Sequence, residues 1–232
     1  MPGVAIATLI ALMLEMASAK AAALALVLAV DVSASVSADS YILQRDGIAQ
    51  AFINPRIAEA ISAVPGGIEV LVLEWSDPDK IVVTVDWTRI GDGPSAIGFA
   101  AAVRASRRSS SGITAIGPAL LAAAAAFEHL PEPAAHRLID ISGDGIANYG
   151  LPPAAARDRI VGRGIAINGL AILTEEPWLA DYYRSNVIGG PSAFVVIART
   201  FEDFAGAMLR KLIQEVAGAS ATAAPLRSAQ MQ

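Results

Sequence analysis

The chain has 232 residues, of which 54% are hydrophobic, 17% are charged and 6% are aromatic. This length and apolar content exclude a disordered chain and are sufficient for one domain with a large core. The net charge of −5 argues against a nucleic-acid-binding face, which needs an excess of basic residues. The absence of cysteine excludes disulfides, thiolate metal sites and a cysteine nucleophile.

The N-terminus has the pattern of a signal peptide. The run from Val4 to Leu14 is apolar except for Thr8, and the small residues Ala17-Ser18-Ala19 follow it. This run is too short for a membrane-spanning helix, which needs about 20 apolar residues. We predict a signal peptide over residues 1–19, cleavage after Ala19, export to the periplasm or outside the cell, and no stable membrane span after processing. The alternative is a frayed N-terminal helix of a cytoplasmic protein.

Predicted strands alternate with predicted helices in the rest of the chain. A turn at residues 76–79 joins two strands into a hairpin with a longer loop. The predicted strands are 24–30, 68–75, 81–87, 137–141, 165–173 and 193–197. The predicted helices are 37–62 with a break near Pro55, a short helix ending near Arg104, 117–130, 154–162, 177–186 and 201–216. Residues 218–232 are predicted to be a disordered tail.

This order of elements predicts an α/β domain over residues 20–217. We expect a doubly wound, mostly parallel six-stranded sheet with one antiparallel edge strand and helices on both faces. In such sheets, ligands bind beyond the carboxyl ends of the strands, where the strand order reverses. The residues just after the first and fourth strands are therefore the place to look for chemistry.

Acidic and hydroxyl side chains occupy these positions. Asp31, Ser33 and Ser35 follow the first strand, Asp144 follows the fourth, and Thr114 lies in the loop before the alanine-rich helix. Such residues are also ordinary helix caps and turn formers. Together, however, two carboxylates and three hydroxyls form a set of hard oxygen donors, which suits Mg²⁺, Mn²⁺ or Ca²⁺. An open coordination position could then accept a carboxylate from another molecule.

The three-part pattern resembles the von Willebrand factor A (vWA) family over roughly residues 24–217. Its metal-ion-dependent adhesion site combines Asp-x-Ser-x-Ser, a distant threonine and an Asp-Gly pair. Carried over by position, the resemblance implies a metal site of Asp31, Ser33, Ser35, Thr114 and Asp144. It implies that the hydroxyls coordinate directly and the carboxylates directly or through water. One departure is residue 143, a glycine here, where many members have threonine.

A closer resemblance is to the bacterial vWA-like family called domain of unknown function 1194. It is carried by the segments 30–35, Glu74-Trp75-Ser76, Asp86-Trp87-Thr88 and 139–145. This family brings no assigned activity, so the resemblance defines the fold more closely than the function.

These observations predict an exported vWA-like protein-binding domain. A divalent cation, with Mg²⁺ favoured and Mn²⁺ or Ca²⁺ as alternatives, would bridge to an Asp or Glu of a protein partner. The chain has no Gly-x-Ser-x-Gly elbow, P-loop or Gly-x-Gly-x-x-Gly motif after a strand, so we predict that it is not an enzyme. The alternatives are a divalent-metal-dependent hydrolase and a scaffold whose metal site is only structural.

Four polar residues near the predicted site have two possible roles each. Asn148 is interpreted as loop filler, with bracing of the loop as the alternative. Glu74 and Ser76 are interpreted as rim or hairpin residues, with support of the metal site as the alternative. Asp140, the rival of Asp144, is interpreted as a buried acid paired with a backbone group or an arginine.

The remaining basic residues are interpreted as surface groups. Arg104, Arg107 and Arg108 are predicted to form a solvated helix end, with contact to a partner as the alternative. His129 and His136 have no serine or aspartate at the spacing of a catalytic triad and are interpreted as surface residues.

Overall fold

The computed structural model describes residues 21–223. The predicted signal peptide and residues 224–232 of the predicted tail lie outside the described residues. The last helix continues to Ala223, beyond the predicted start of the tail at residue 218. Its final turns are rich in alanine, which has the highest helix propensity of all residues.

The chain forms six strands and seven α-helices within this part. The strands are β1 (Ala22–Asp31), β2 (Ile68–Trp75), β3 (Ile81–Ile90), β4 (Ala134–Gly143), β5 (Ala166–Ile172) and β6 (Val195–Ala198). The helices are α1 (Ala38–Phe52), α2 (Pro55–Ser62), α3 (Gly93–Ala105), α4 (Ile116–Ala126), α5 (Pro153–Val161), α6 (Leu179–Asn186) and α7 (Phe204–Ala223). The predicted break near Pro55 is confirmed: residues 37–62 form two helices, because Asn54 caps the second and Pro55 occupies its first turn.

The strands form one sheet in the order β3-β2-β1-β4-β5-β6. Only the β2–β3 pair is antiparallel; the other four neighbouring pairs are parallel. This confirms the predicted mostly parallel six-stranded sheet with an antiparallel edge strand. Within the described residues, no helix is long and apolar enough to cross a membrane.

The central strand β1 is buried along its whole length and separates two cores. Leu24, Leu26 and Leu28 face one core, which they share with α1, α2, α3 and α7. Ala25, Val27 and Ala29 face the other, which they share with α4, α5 and α6. A strand buried on both faces must be apolar throughout, which is why its sequence shows no alternation.

The strand order reverses beside β1, and this brings two loops together. β1 lies between β2 and β4 and is parallel to both, with Val30 opposite Ser142. The chain segments that begin at Asp31 and at Asp144 therefore leave the sheet at the same edge and side by side. This is the position at which doubly wound sheets bind ligands.

A buried ionic cluster fixes α7 to the sheet, on the face that α7 covers together with α1, α2 and α3. Lys211 on α7 has its Nζ 2.8 Å from Asp140 Oδ1 on β4 and also contacts Glu215, one turn later on α7. Asn168 on β5 donates to Glu215 at 2.9 Å. Asp140 is thus a buried acid, but the predicted arginine or backbone partner was wrong, because α7 supplies a lysine from a distant part of the chain.

The cluster places two carboxylates around one ammonium group. Burial raises the pKa of Glu215 to about 7, while the charge of Lys211 and the bond from Asn168 lower it. Burial also raises the pKa of Asp140, against the opposing effect of Lys211. A single cation cannot fully compensate two buried anions, so one of the acids tends to hold a proton near neutral pH.

Replacing Lys211 with methionine should destabilise the fold strongly. The substitution keeps most of the side-chain volume but leaves Asp140 and Glu215 without their cation. Breaking a buried pair in this way costs about 3–5 kcal/mol. We expect that loss in urea unfolding at pH 7. The matched control is Arg210→Met at the exposed neighbouring position, which should change stability by no more than about 0.5 kcal/mol. Equal losses in the two variants would contradict this role of Lys211.

Glu215 should make the unfolding free energy fall as pH rises from 5 to 8. Its folded pKa of about 7 lies above the ordinary value of 4.5, so the folded state binds more protons in this window. The resulting stabilisation is full below pH 4.5 and is lost as pH rises through 7. We expect roughly 2 kcal/mol of this loss to be absent from Glu215→Gln, measured by urea unfolding in EDTA. Identical pH dependence in both proteins would show that Glu215 is ionised throughout.

Candidate metal centre

Asp31 is the last residue of β1 and is fully buried. Its Oδ1 accepts a hydrogen bond of 2.8 Å from the backbone N–H of Ser33, which turns the chain away from the strand. Gln44 on α1 donates to the Asp31 carbonyl at 3.1 Å and fixes the end of the strand. Asp31 Oδ2 has no hydrogen-bond partner among the described residues, so one buried carboxylate oxygen is free to bind a ligand.

Ser33 and Ser35 connect the first loop to Asp144. The two hydroxyl oxygens lie 3.2 Å apart, and the Ser35 hydroxyl donates to Asp144 Oδ1 at 2.8 Å. Ser33 is buried and Ser35 is exposed. Four of the predicted metal ligands are therefore brought together, and the group is open to solvent on the side of Ser35.

Asp144 follows β4 directly and is also buried. Its Oδ2, like that of Asp31, has no hydrogen-bond partner in the described part of the chain. Gly143 allows the close approach of the two loops, because a Cβ at this position would lie 2.7 Å from Asp31 Oδ2. The two acids thus share a small space at the sheet edge.

Asn148 positions the loop that carries Thr114. The backbone N–H of Thr114 donates to Asn148 Oδ1 at 2.9 Å, and the N–H of Asn148 donates back to the Thr114 carbonyl at 3.1 Å. The Thr114 hydroxyl oxygen lies 3.8 Å from where a Cβ on Gly145 would be. The interpretation of Asn148 as loop filler was wrong: it ties the loop after Asp144 to the loop that carries Thr114.

Arg108 holds the loop after β1 in place. It belongs to residues 106–115, the Thr114 loop. Its guanidinium donates to the carbonyls of Val32 and Ser33, each at 2.9 Å, and to the carbonyl of Ser110 at 2.9 Å. The prediction of a solvated helix end was wrong for Arg108, although Arg104 and Arg107 are exposed. A single planar group with several N–H donors can hold two loops together in this way.

Glu74 and Ser76 hold the Thr114 loop to the end of β2. Glu74 accepts from the Tyr41 hydroxyl at 2.8 Å and from the backbone N–H of Ser109 at 2.7 Å. The hydroxyl oxygens of Ser76 and Ser110 lie 2.8 Å apart. Both residues are buried, so the rim interpretation was wrong, whereas the hairpin interpretation holds for Ser76, whose backbone N–H donates to the Lys80 carbonyl at 3.3 Å. They support the loops around the site.

The electrostatics of the site favour a bound cation. Burial raises the pKa of Asp31 to about 7, aided by the charge of Asp144 and opposed by hydrogen bonds from Ser33 and the charge of Arg108. Burial also raises the pKa of Asp144, and Glu175 adds to this effect. A cation beside these carboxylates would favour their ionised forms and offset the cost of burying them.

The donor set fits a small divalent ion. Two buried carboxylates with unpartnered oxygens lie beside the Ser33 and Ser35 hydroxyls, and the Thr114 hydroxyl lies near Gly145; hydroxyls are hard donors of the kind that Mg²⁺ and Mn²⁺ accept. Across residues 21–223, no three Asp, Glu or His side chains group as a metal site. Neutral hydroxyls would therefore have to supply much of the coordination.

Tyr183 is a buried residue at this site that sequence reasoning did not identify. It lies on α6, is fully buried, and its hydroxyl has no hydrogen-bond partner among the described residues. Burial, together with the charges of Asp31 and Asp144, raises its pKa well above the usual value. Only the fold shows that α6 places this side chain near Asp31, since no spacing in the sequence links the two.

Comparison with solved structures shows the vWA-like fold. Proximal thread matrix protein 1 from the mussel byssus is 13% identical, with a TM-score of 0.64 over 85% of this chain and 48% of that chain. A further structure of that protein has a zinc-occupied MIDAS motif, the metal-ion-dependent adhesion site. The pilus adhesin SpaC from Lactobacillus rhamnosus GG is 14% identical, with a TM-score of 0.59 over 84% of this chain and 30% of that chain.

A protein described as von Willebrand factor type A, from Catenulispora acidiphila, is similar in the same way. It is 18% identical, with a TM-score of 0.55 over 84% of this chain and 42% of that chain. The chain spans about half the length of the first of these structural relatives. No curated protein matches the sequence.

A family model assigns almost the whole described chain. The model for "Protein of unknown function (DUF1194)" matches residues 21–220. The matched region contains every strand and helix of the vWA-like sheet except the last residues of α7. Both resemblances seen in the sequence are thereby confirmed, and the chain belongs to the DUF1194 family, with a vWA-like fold.

Proposed function

We propose that this protein is a binding module in which one divalent cation, with Mg²⁺ favoured, bridges to an aspartate or glutamate of a protein partner. Ser33, Ser35 and Thr114 would hold the cation through their hydroxyls, and Asp31 and Asp144 directly or through water. The observation that carries this proposal is the pair of buried, unpartnered oxygens, Asp31 Oδ2 and Asp144 Oδ2, at the sheet edge.

The charge balance of the donor set explains why an external carboxylate would bind. Only two carboxylates would face the ion, directly or through water, and the three hydroxyls add no further negative charge, so the bound ion would remain electron-poor. When bound, the cation would supply a Lewis-acidic centre that attracts one more anionic oxygen. The exposed Ser35 marks the side from which that oxygen would enter.

Exposed apolar side chains on the loops offer further contact area, among them Ile113, next to Thr114, and Tyr149, next to Asn148. Ile113 is 36% exposed, Tyr149 is 61% exposed and Trp178 is 48% exposed. Ile113 and Tyr149 also line an open groove of about 440 Å³ that runs past Asp77 and Lys80. Aromatic residues are enriched at protein interfaces relative to the rest of the surface.

The relatives support binding in preference to catalysis. One structural relative is a matrix protein, and one of its structures has a zinc-occupied MIDAS motif. Another is a pilus adhesin. For this chain we propose the corresponding non-enzymatic role, in the periplasm or outside the cell, after removal of residues 1–19. Mn²⁺ and Ca²⁺ are the alternative ions.

Replacing Asp31 with asparagine should abolish the stabilisation by metal. An ion that binds only the folded state stabilises it by RT ln(1 + [L]/Kd), about 2.7 kcal/mol at one hundred times Kd. We expect Mg²⁺ to raise the melting temperature of the wild type, and we expect Asp31→Asn to lose this rise. In EDTA the variant should be at least as stable as the wild type, because it removes a buried charge.

The control for this experiment is Asp39→Asn, which neutralises an exposed acid in the first turn of α1. It should keep the full response to Mg²⁺. The proposal is wrong if no divalent ion stabilises the wild type, or if Asp31→Asn responds as the wild type does. In affinity capture, partners held in Mg²⁺ should be lost both in EDTA and with Asp31→Asn; retention in both would contradict the bridging role.

A further inference from the structure

The buried hydroxyl of Tyr183 points to a role in the metal site. The side chain lies on α6 and is fully buried, yet its hydroxyl has no hydrogen-bond partner among the described residues. A buried hydroxyl without a partner has lost its hydrogen bonds to water without replacement, which destabilises the fold. Such groups are rare in folded proteins and call for a specific explanation.

Two strand glycines make room for this tyrosine. A Cβ at Gly169 on β5 would lie 2.7 Å from Cδ1 of the Tyr183 ring. A Cβ at Gly143, at the end of β4, would lie 2.8 Å from the Tyr183 hydroxyl oxygen. The ring therefore packs on β5, and its hydroxyl reaches across to the end of β4.

The hydroxyl and the free oxygen of Asp31 share this space. The same Cβ position at Gly143 lies 2.7 Å from Asp31 Oδ2 and 2.8 Å from the Tyr183 hydroxyl oxygen. One atom is an O–H donor at neutral pH and the other is a carboxylate acceptor. Neither oxygen has a hydrogen-bond partner among the described residues, the other included, so a bond between them requires the carboxylate to turn about its Cβ–Cγ bond.

We propose that Tyr183 is a positioning residue of the metal site: when the cation is bound, its O–H donates to Asp31 Oδ2 and holds this carboxylate in the orientation that binds the cation. This inference rests on the proposed function, because it concerns the same ion. Gly143 is then required on two counts, since a side chain there would displace both oxygens. Residue 143 is where this chain departs from the vWA pattern. Its lack of a side chain leaves room for the Tyr183 hydroxyl.

Tyr183→Phe tests this inference because it removes only the hydroxyl. Loss of a hydrogen bond that orients a metal ligand typically weakens metal binding 10–100-fold. We expect a loss in that range for Mg²⁺ by isothermal titration calorimetry. We also expect Mg²⁺ to perturb the tyrosine absorption spectrum of the wild type, and we expect the variant to lose this change. A purely structural role would not produce that spectral difference.

The control is Tyr149→Phe, which removes a hydroxyl from a side chain that is 61% exposed. It should keep both the affinity for Mg²⁺ and the spectral change. In EDTA, Tyr183→Phe should melt no lower than the wild type, because the variant removes an unpartnered buried group. This measurement separates loss of metal binding from loss of folding.

The outcomes distinguish this inference from the proposed function. If the wild type binds Mg²⁺ and Tyr183→Phe binds it equally tightly, the role of Tyr183 is wrong and the metal site stands. If both tyrosine variants lose affinity equally, the role of Tyr183 is also wrong. If the wild type binds none of Mg²⁺, Mn²⁺ and Ca²⁺, the metal site fails and the inference fails with it.

Discussion

The parallel pairing of β1 and β4 is the constraint on which the rest of the site depends. With Val30 opposite Ser142, the chain must leave both strands at the same edge of the sheet, and Asp31 and Asp144 follow at once. Both acids are buried, and burial raises the pKa of each. Two like charges in one small space are costly unless a cation or a proton compensates them. The sheet therefore buries two negative charges close together, and a divalent ion would compensate them.

The loops that complete the site are held by long-range hydrogen bonds. Arg108 joins the Thr114 loop to the carbonyls of Val32 and Ser33, and Glu74 holds the same loop through the N–H of Ser109. Asn148 joins Thr114 to the loop after Asp144. These contacts fix the positions of the hydroxyl donors before any ion binds. Such preorganisation is what allows a site made largely of neutral donors to bind a cation.

The face of the sheet that α7 covers also buries an acid, but there a lysine compensates the charge. Asp140 is buried on β4, four residues before Asp144, and its charge is met by Lys211 from α7. One face thus supplies its own ammonium group, whereas the buried acids at the sheet edge, Asp31 and Asp144, accept hydrogen bonds from the neutral groups of Ser33 and Ser35. This contrast between the two groups of buried acids supports an external cation at the edge.

Much of the fold could be predicted because its signals are local. Apolar runs mark β1 and β2, and the turn at residues 76–79, between β2 and β3, marks the hairpin. The motif from Asp31 to Ser35 could be placed because it directly follows a strand. The predicted identity of the ligands remains a prediction, although the structure brings these residues to one edge.

The supporting residues could not be predicted because their partners lie far along the chain. Arg108 looks like any solvated arginine after a helix, and only the packing of α3 shows that it meets the loop after β1. Lys211 and Tyr183 sit on helices whose apolar faces give no hint of a polar partner. Hydrogen bonds and ion pairs between distant segments have no period and no fixed spacing, so pattern analysis does not detect them.

The measurement that tests the central claim most directly is the position of a bound ion in crystals grown with Mn²⁺. An anomalous difference map locates manganese without reference to any assumed ligand. The account predicts one strong peak among Asp31, Ser33, Ser35, Thr114 and Asp144, at the carboxyl edge of β1 and β4. A map with no peak there at saturating Mn²⁺, or with its strongest peak at another part of the protein, would contradict it.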